Sequence, residues 1–202
     1  MGVESSTPDR PTRFKPMTLA VAAAGVLAAT TTFLPESVRP WNFSAIGAVA
    51  LFAAARLGFV PAMAVITVAL VVKDLGVYFQ HGLEPYPLSW ITFAGYAAVG
   101  WAFLRNTESP VRIGAAAVGA SLAFFLLTNF VSWVEQALPY GYSFAGLMDC
   151  YAAGIPFFRG TLVGDLVYSG ALFGAHAVLS RAYFPAERVV AAEVVHDPEH
   201  LS

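Results

Sequence analysis

The chain has 202 residues, 57% of them hydrophobic and 12% charged, with a formal net charge of −2 and a mean hydropathy of +0.64. That balance excludes an ordinary water-soluble globule, and the Lys and Arg residues form no basic cluster of the kind that holds nucleic acid. One cysteine, Cys150, excludes an internal disulfide and a cysteine-based metal site, and leaves a small apolar packing residue as its plain reading.

Residues 1–16, with three prolines and most of the early polar residues, read as a disordered cytoplasmic tail. The first apolar run follows, Met17–Leu34. Its basic lead-in and Ala-rich core resemble a secretory signal, but the run continues through Thr30–Leu34 without a small-x-small cleavage site, so a retained helix is expected. The opening Met1-Gly2 matches a myristoylation pattern, which a polytopic protein does not need. Five further runs come at Phe43–Leu57, Val60–Phe79, Leu88–Leu104, Val111–Trp133 and Thr161–Phe184. A hydrocarbon core takes about 20 apolar residues per helix, and these runs lack the alternation of barrel strands. The expected fold is therefore all-α: a polytopic membrane protein of six transmembrane helices in one domain over 17–184. Residues 185–202 read as a second disordered cytoplasmic tail.

Charge orients the expected spans. Arg10, Arg13, Lys15, Arg56, Arg105, Arg112, Arg181 and Arg188 flank one side, against Arg39 and Arg159 on the other. The positive-inside rule places both termini in the cytoplasm, which agrees with an even number of spans, in the cell's inner (plasma) membrane. Between the last two spans, Ser143–Phe158 is short and interrupted by Gly and Pro, and reads as a re-entrant or interfacial helix. The aromatic residues of this long connection suit either a membrane-interface belt or a lid over a pocket.

Polar groups inside spans are costly and face cavities or partners. Asp74, Asn129 and Asp165 each fall five or six residues from the external end of their span, roughly 7–9 Å deep. Tyr78 shares a face with Asp74, Trp133 with Asn129, and Tyr168 with Asp165. Lys73, beside Asp74, points about 100° away and is expected to pair elsewhere. Either these groups bolt the helices together or they line an external pocket. Small residues recur every fourth position at Ala20, Ala24 and Ala28, and again at Gly170 and Gly174, where internal helix packing is the plain reading. No P-loop, HExxH or comparable ligand spacing occurs, so no ATPase of its own, no cofactor and no metal are expected.

Several segments carry a resemblance. Asn42-Phe43-Ser44 with the small-residue run to Ala53, then Leu57-Gly58 and Lys73-Asp74-Leu75, resemble spans 2 and 3 of energy-coupling factor transporter S components. More closely, Asn42-Phe43-Ser44, Thr128-Asn129-Phe130 with Trp133, and Gly146-Leu147 through Gly164-Asp165 resemble an uncharacterised bacterial membrane family that is itself S-component-like. Ala45 stands where that family usually has proline, and Lys73 where a small hydroxyl residue is usual. The resemblance implies a non-enzymatic, substrate-capturing subunit of a micronutrient uptake system, powered by separate ATPases. It implies a small-molecule pocket of Asn42, Asp74, Tyr78, Asn129, Trp133, Tyr151 and Asp165, with the Ala20/Ala24/Ala28 face meeting a transmembrane coupling subunit. An assembly protein without ligand and an intramembrane enzyme are the alternatives.

Overall fold

The computed structural model describes residues 15–34 and 42–189, except the side chain of Thr32. The stretches 1–14 and 190–202, which carry nearly all of both expected tails, lie outside the described residues. Six α-helices follow in order: α1 (Pro16–Ala29), α2 (Ile46–Leu57), α3 (Phe59–His81), α4 (Pro87–Val99), α5 (Pro110–Val134) and α6 (Phe144–Ala182). A 3-10 turn, Thr30–Phe33, extends α1, a π-helical turn, Gly100–Leu104, extends α4, and a second 3-10 turn, Pro185–Glu187, follows α6. There is no strand among the described residues.

Four helical stretches, Phe59–His81, Pro87–Leu104, Pro110–Val134 and Phe144–Ala182, are long and apolar enough to cross a membrane. The helices α1 and α2 are apolar but shorter. The second expected span therefore differs from what forms. Residues Phe43–Ala45 stay outside the helix, and α2 has only 12 residues. Its surroundings explain how so short a helix persists. No apolar side chain from Ile46 to Ala54 is more than 1% exposed, and α1, α3, α4, α5 and α6 all pack on it. A helix apolar on every side belongs in a core. Enclosed by protein, α2 does not need the length that lipid demands.

Glycine permits the closest approach. The position a Cβ would take on Gly100 is filled by the backbone of Leu51, so the π-helical turn presses directly on α2. Side chains there would force the two backbones apart, and π turns of this kind occur where a helix accommodates such a constraint.

The largest departure is α6. The segment read as a separate re-entrant or interfacial helix is the first part of one continuous 39-residue helix with Pro156 inside it. At 1.5 Å per residue it runs roughly 58 Å, nearly twice the thickness of a hydrocarbon core. A proline deletes one helical hydrogen bond and crowds the preceding turn, which is the local signal for a break. Tertiary packing outweighs it. The thiol of Cys150 donates to the Asn129 carbonyl (3.3 Å), the Tyr151 hydroxyl to the Leu126 carbonyl (3.0 Å), and the Phe158 ring lies 4.8 Å from that of Phe125.

At the end of the bundle where both described termini meet, the start of the expected C-terminal tail is ordered. Its residue Glu187 accepts from the backbone N–H groups of Met17 (3.0 Å) and Thr18 (2.8 Å) and from the Thr18 hydroxyl (2.6 Å). Lys15, at the N-cap of α1, supplies no side-chain cap, so Glu187 satisfies the free donors of that helix from the other end of the chain. With its proton committed to Glu187, the Thr18 hydroxyl accepts from His176 Nε2 at 3.3 Å. Burial by itself would raise the Glu187 carboxyl, but the bonds from Thr18 and Met17 outweigh it and hold the group below its ordinary value.

Two outcomes follow from these contacts. A carboxyl depressed on folding contributes stability above its unfolded value of about 4.3, and loses it as pH falls through the folded value. The melting temperature of the detergent-solubilised protein should therefore fall on acidification below about pH 4.5; Glu187→Gln should melt lower at neutral pH and show less of that acid dependence. Gly100→Ala should lower the melting temperature far more than Gly95→Ala, because a Cβ on Gly95 would meet nothing whereas one on Gly100 meets a backbone that cannot move aside.

Candidate functional site

The interior polar groups separate into a hub and two cavities. The hub is Asp165 on α6, 2% exposed. Its Oδ2 accepts from the Tyr96 hydroxyl on α4 (2.6 Å) and from the Ser121 hydroxyl on α5 (2.7 Å). The backbone N–H of Ala48 also donates to this carboxylate, and Oδ1 lies against the Cα of Gly47. These are the second and third residues of α2, whose N-cap, Ala45, has no side-chain acceptor. One buried carboxylate thus ties four helices together and sits at the positive end of the α2 dipole. The partner hydroxyls supply short, charge-assisted hydrogen bonds that offset its desolvation.

Two adjoining cavities lie on the side of the bundle away from the termini. The first, about 310 Å3, has the rings of Phe124, Phe125, Phe157 and Phe158 around Asn42, Thr128, Asn129 and Thr161. No ionisable side chain other than Tyr140 and Cys150 lines it. The second, about 300 Å3, is bounded by Asn42, Ser44, Lys73, Ser89, Phe93 and Asp165. They share Asn42, Phe124 and Thr161. Asn42 has φ of +57°, a left-handed conformation that asparagine tolerates better than most residues, and it places this side chain at the boundary of both spaces. Each volume matches the small end of ligand sites, where apolar walls surround a few polar groups.

The residues expected to form one pocket are brought together only in part. Asn42, Asn129 and Asp165 line the two cavities. Asn129 donates from Nδ2 to the Phe125 carbonyl (2.8 Å) and its amide rests on Gly154, where a side chain would displace it. Asp165 and Asn129 do not share the depth expected of them. Asp165 meets α5 at Ser121, eight residues and about 12 Å from Asn129 along the helix. The offset arises because α6 begins at Phe144 rather than near Thr161.

The other expected residues have different tasks. Asp74 lines neither cavity. It accepts from Trp90 Nε1 (3.3 Å) and pairs with Lys73 Nζ at 2.9 Å. That pair corrects the expectation that adjacent residues point apart; the four-carbon lysine stem bends back far enough to close it. Lys73, rather than Asp74, faces the second cavity. Tyr78 is exposed and packs edge-on against Phe79. Trp133 donates to the Gly141 carbonyl (2.9 Å) and meets the Tyr142 ring, so it shapes the α5–α6 connection. Tyr151 stacks near Phe125 and bonds α5. Tyr96, Ser121 and Lys73 join the site although the sequence pattern does not mark them as site residues. The two hydroxyls sit in mid-span, away from the span ends where carboxylates and amides stand out.

The Tyr86 hydroxyl donates to Glu135 (2.9 Å), joining the connection before α4 to the one after α5. In that latter connection Ala137, Leu138 and Tyr140 form part of the first cavity's wall. No group of three or more His, Cys, Asp or Glu residues suited to a metal occurs among the described residues.

Long apolar helices, a polar hub buried among them and paired cavities define a helical membrane protein. Its family is shown by sequence: residues 12–190 match the model of the family of unknown function DUF6580, and the chain belongs to that family. Neither a curated protein nor a solved structure matches.

The hub's energetics can be measured. Removing one partner of a buried hydrogen-bonded charge costs more than removing a peripheral bond. Asp165→Ala strands the Tyr96 hydroxyl and the Ala48 N–H, while Ser121 still donates to the Ala117 carbonyl, and should destabilise the solubilised protein by about 2–6 kcal/mol at about 1–3 kcal/mol per stranded donor; Ser121→Ala should cost about 1.5–3 kcal/mol. Equal small effects in denaturant unfolding would contradict the hub assignment.

Proposed function

We propose that the protein is an integral membrane substrate-capture subunit of an uptake system for a scarce small molecule. The observation that carries this reading is the pair of adjoining cavities joined at Asn42, Phe124 and Thr161. Aromatic walls supply stacking area in the first, and amide and hydroxyl groups fix orientation, the usual composition of a small-molecule site. The second adds the Lys73 ammonium, held by Asp74.

The placement of the cavities away from the termini supports an external opening, with both termini cytoplasmic as the basic residues suggest. In this reading α1 and α2 count as spans although they are short, giving the six-helix S-component-like arrangement that the motifs resemble. Energy comes from separate ATPases, and the protein itself catalyses no reaction. Ala20 and Ala24 are exposed on α1 with Ala28 half-buried beside them, which suits contact with a transmembrane coupling subunit. The rival reading, an assembly protein whose polar groups only join helices, draws support from Asp165, all of whose bonds are internal.

Native mass spectrometry of the protein released gently from detergent separates the two. A retained small molecule is expected on the wild type. Asn129→Leu, which fills the first cavity with an apolar side chain, should lose it and lose ligand-dependent thermal stabilisation while remaining folded. Full retention of the same mass by Asn129→Leu, or no bound mass and no thermal shift with any vitamin-sized compound, would sink the capture reading.

A further inference from the structure

We infer that the second cavity binds an ammonium group, and that the captured molecule is an aromatic organic cation whose flat body lies in the first cavity. The inference rests on the capture reading and names its substrate class. Charge balance is the starting point. Two charged groups stand on the wall of the second cavity, Lys73 and Asp165. Lys73 is already balanced by Asp74, whose Oδ1 lies 2.9 Å from its Nζ. Asp165 has no such partner. Its donors are neutral, two hydroxyls and one backbone N–H, and no cation among the described residues forms an ion pair with it. Neutral donors offset desolvation but leave the charge in place. The cavity therefore has one net negative charge. A cation cancels it, a zwitterion leaves it and an anion doubles it, and in a poorly solvated space these differences are larger than in water.

The rings around the carboxylate point the same way. Tyr96, which donates to Asp165, has its ring 5.6 Å from that of Phe93 and 6.3 Å from that of Phe124, and those two rings are 5.8 Å apart. Phe93 and Phe124 both line the second cavity. Three mutually packed rings beside a carboxylate supply the quadrupole attraction that aromatic clusters offer to ammonium groups. The carboxylate also has an oxygen to spare. Both hydroxyls donate to Oδ2, while Oδ1 lies against Gly47, itself a wall residue of this cavity. An N–H of the ligand has its acceptor there. Phe124 and Thr161 continue into the first cavity, where no Asp, Glu, Lys or Arg side chain lines the wall. That space of about 310 Å3 suits an uncharged ring system stacked among phenylalanines.

Three indoles that share a frame and differ in charge provide the test: tryptamine (cation), tryptophol (neutral) and indole-3-acetate (anion). Each is titrated calorimetrically into the full-length, detergent-solubilised protein at neutral pH. Tryptamine should bind at least about tenfold more tightly than tryptophol, the factor that 1.4 kcal/mol produces, and indole-3-acetate should bind weakest. Asp165→Asn keeps an acceptor for Tyr96 and Ser121 and should abolish the preference for tryptamine. A second pair of variants leaves the hub intact. Thr161, one helical turn from Asp165, lines both cavities, and its hydroxyl bonds only to the Phe157 carbonyl of its own helix (3.3 Å). Thr161→Lys supplies the missing cation from within the protein and should remove the preference. Thr161→Met fills similar space without charge and should weaken all three probes alike, keeping their ratio. Tryptophol or indole-3-acetate binding as tightly as tryptamine, or a preference that survives both Asp165→Asn and Thr161→Lys, would overturn the inference. A small molecule retained in native mass spectrometry while no indole binds would also overturn it and leave the capture reading standing; absence of both would remove the two together.

Discussion

A buried helix start exposes backbone N–H groups that water would otherwise satisfy, and in this bundle two of them are answered by carboxylates from far along the chain. The N-cap residues of α1 and α2, Lys15 and Ala45, supply no side-chain acceptor, and at α2 the neighbouring Ser44 Oγ takes only the N–H of Ile46 (3.3 Å). Glu187, just beyond α6, reaches the N–H groups of Met17 and Thr18, and Asp165, within α6, reaches that of Ala48. By contrast α5 and α6 start with Ser109 and Ser143, which cap their own helices locally. At the enclosed starts of α1 and α2 the acceptor that comes from afar is itself desolvated and strong. Both acceptors come from the α6 region, so the longest helix fixes the entry points of α1 and α2.

Much of the helical framework was legible because lipid-length apolar runs between polar turns leave little choice. The helices α3, α4 with its π-helical extension, and α5 begin and end within a few residues of the expected limits. Other features were hidden for identifiable reasons. Gly154, Pro156 and Gly160 are local breakers, and only contacts made across space by Cys150, Tyr151 and Phe158 keep α6 whole. The burial of α2 on all sides has no signature in a run of Ala, Leu and Phe, since a lipid-facing helix reads the same. Asn42 and Asn129 could be picked out as amides near span ends, and they do face cavities. Lys73 could not, because its pairing with Asp74 depends on how a long side chain folds back rather than on helical angle.

Glycine marks how the interior is divided. Where Gly47, Gly100 and Gly164 lie, α2 and its preceding segment are gripped so closely that no Cβ fits. Gly154 instead makes room for the Asn129 amide, so the same device that brings backbones together in the core admits a polar group beside the first cavity. Its phenylalanines are partly exposed rather than sealed in the core, as a cavity wall requires: Phe124, Phe125 and Phe158 are half-buried and Phe157 is exposed.

Asp165 has two positions in this scheme at once. It terminates α2, and it forms part of the wall of the second cavity. A molecule occupying that cavity would compete with, or add to, the hydrogen bonds from Tyr96, Ser121 and Ala48, and each of those donors belongs to a different helix. The carboxylate cannot exchange a partner without altering the electrostatic anchor of at least one helix, because in a desolvated setting a lost bond is not replaced by water. The same geometry that makes Asp165 structural therefore makes occupancy of the second cavity felt at α2, and through α2 at every helix that packs around it.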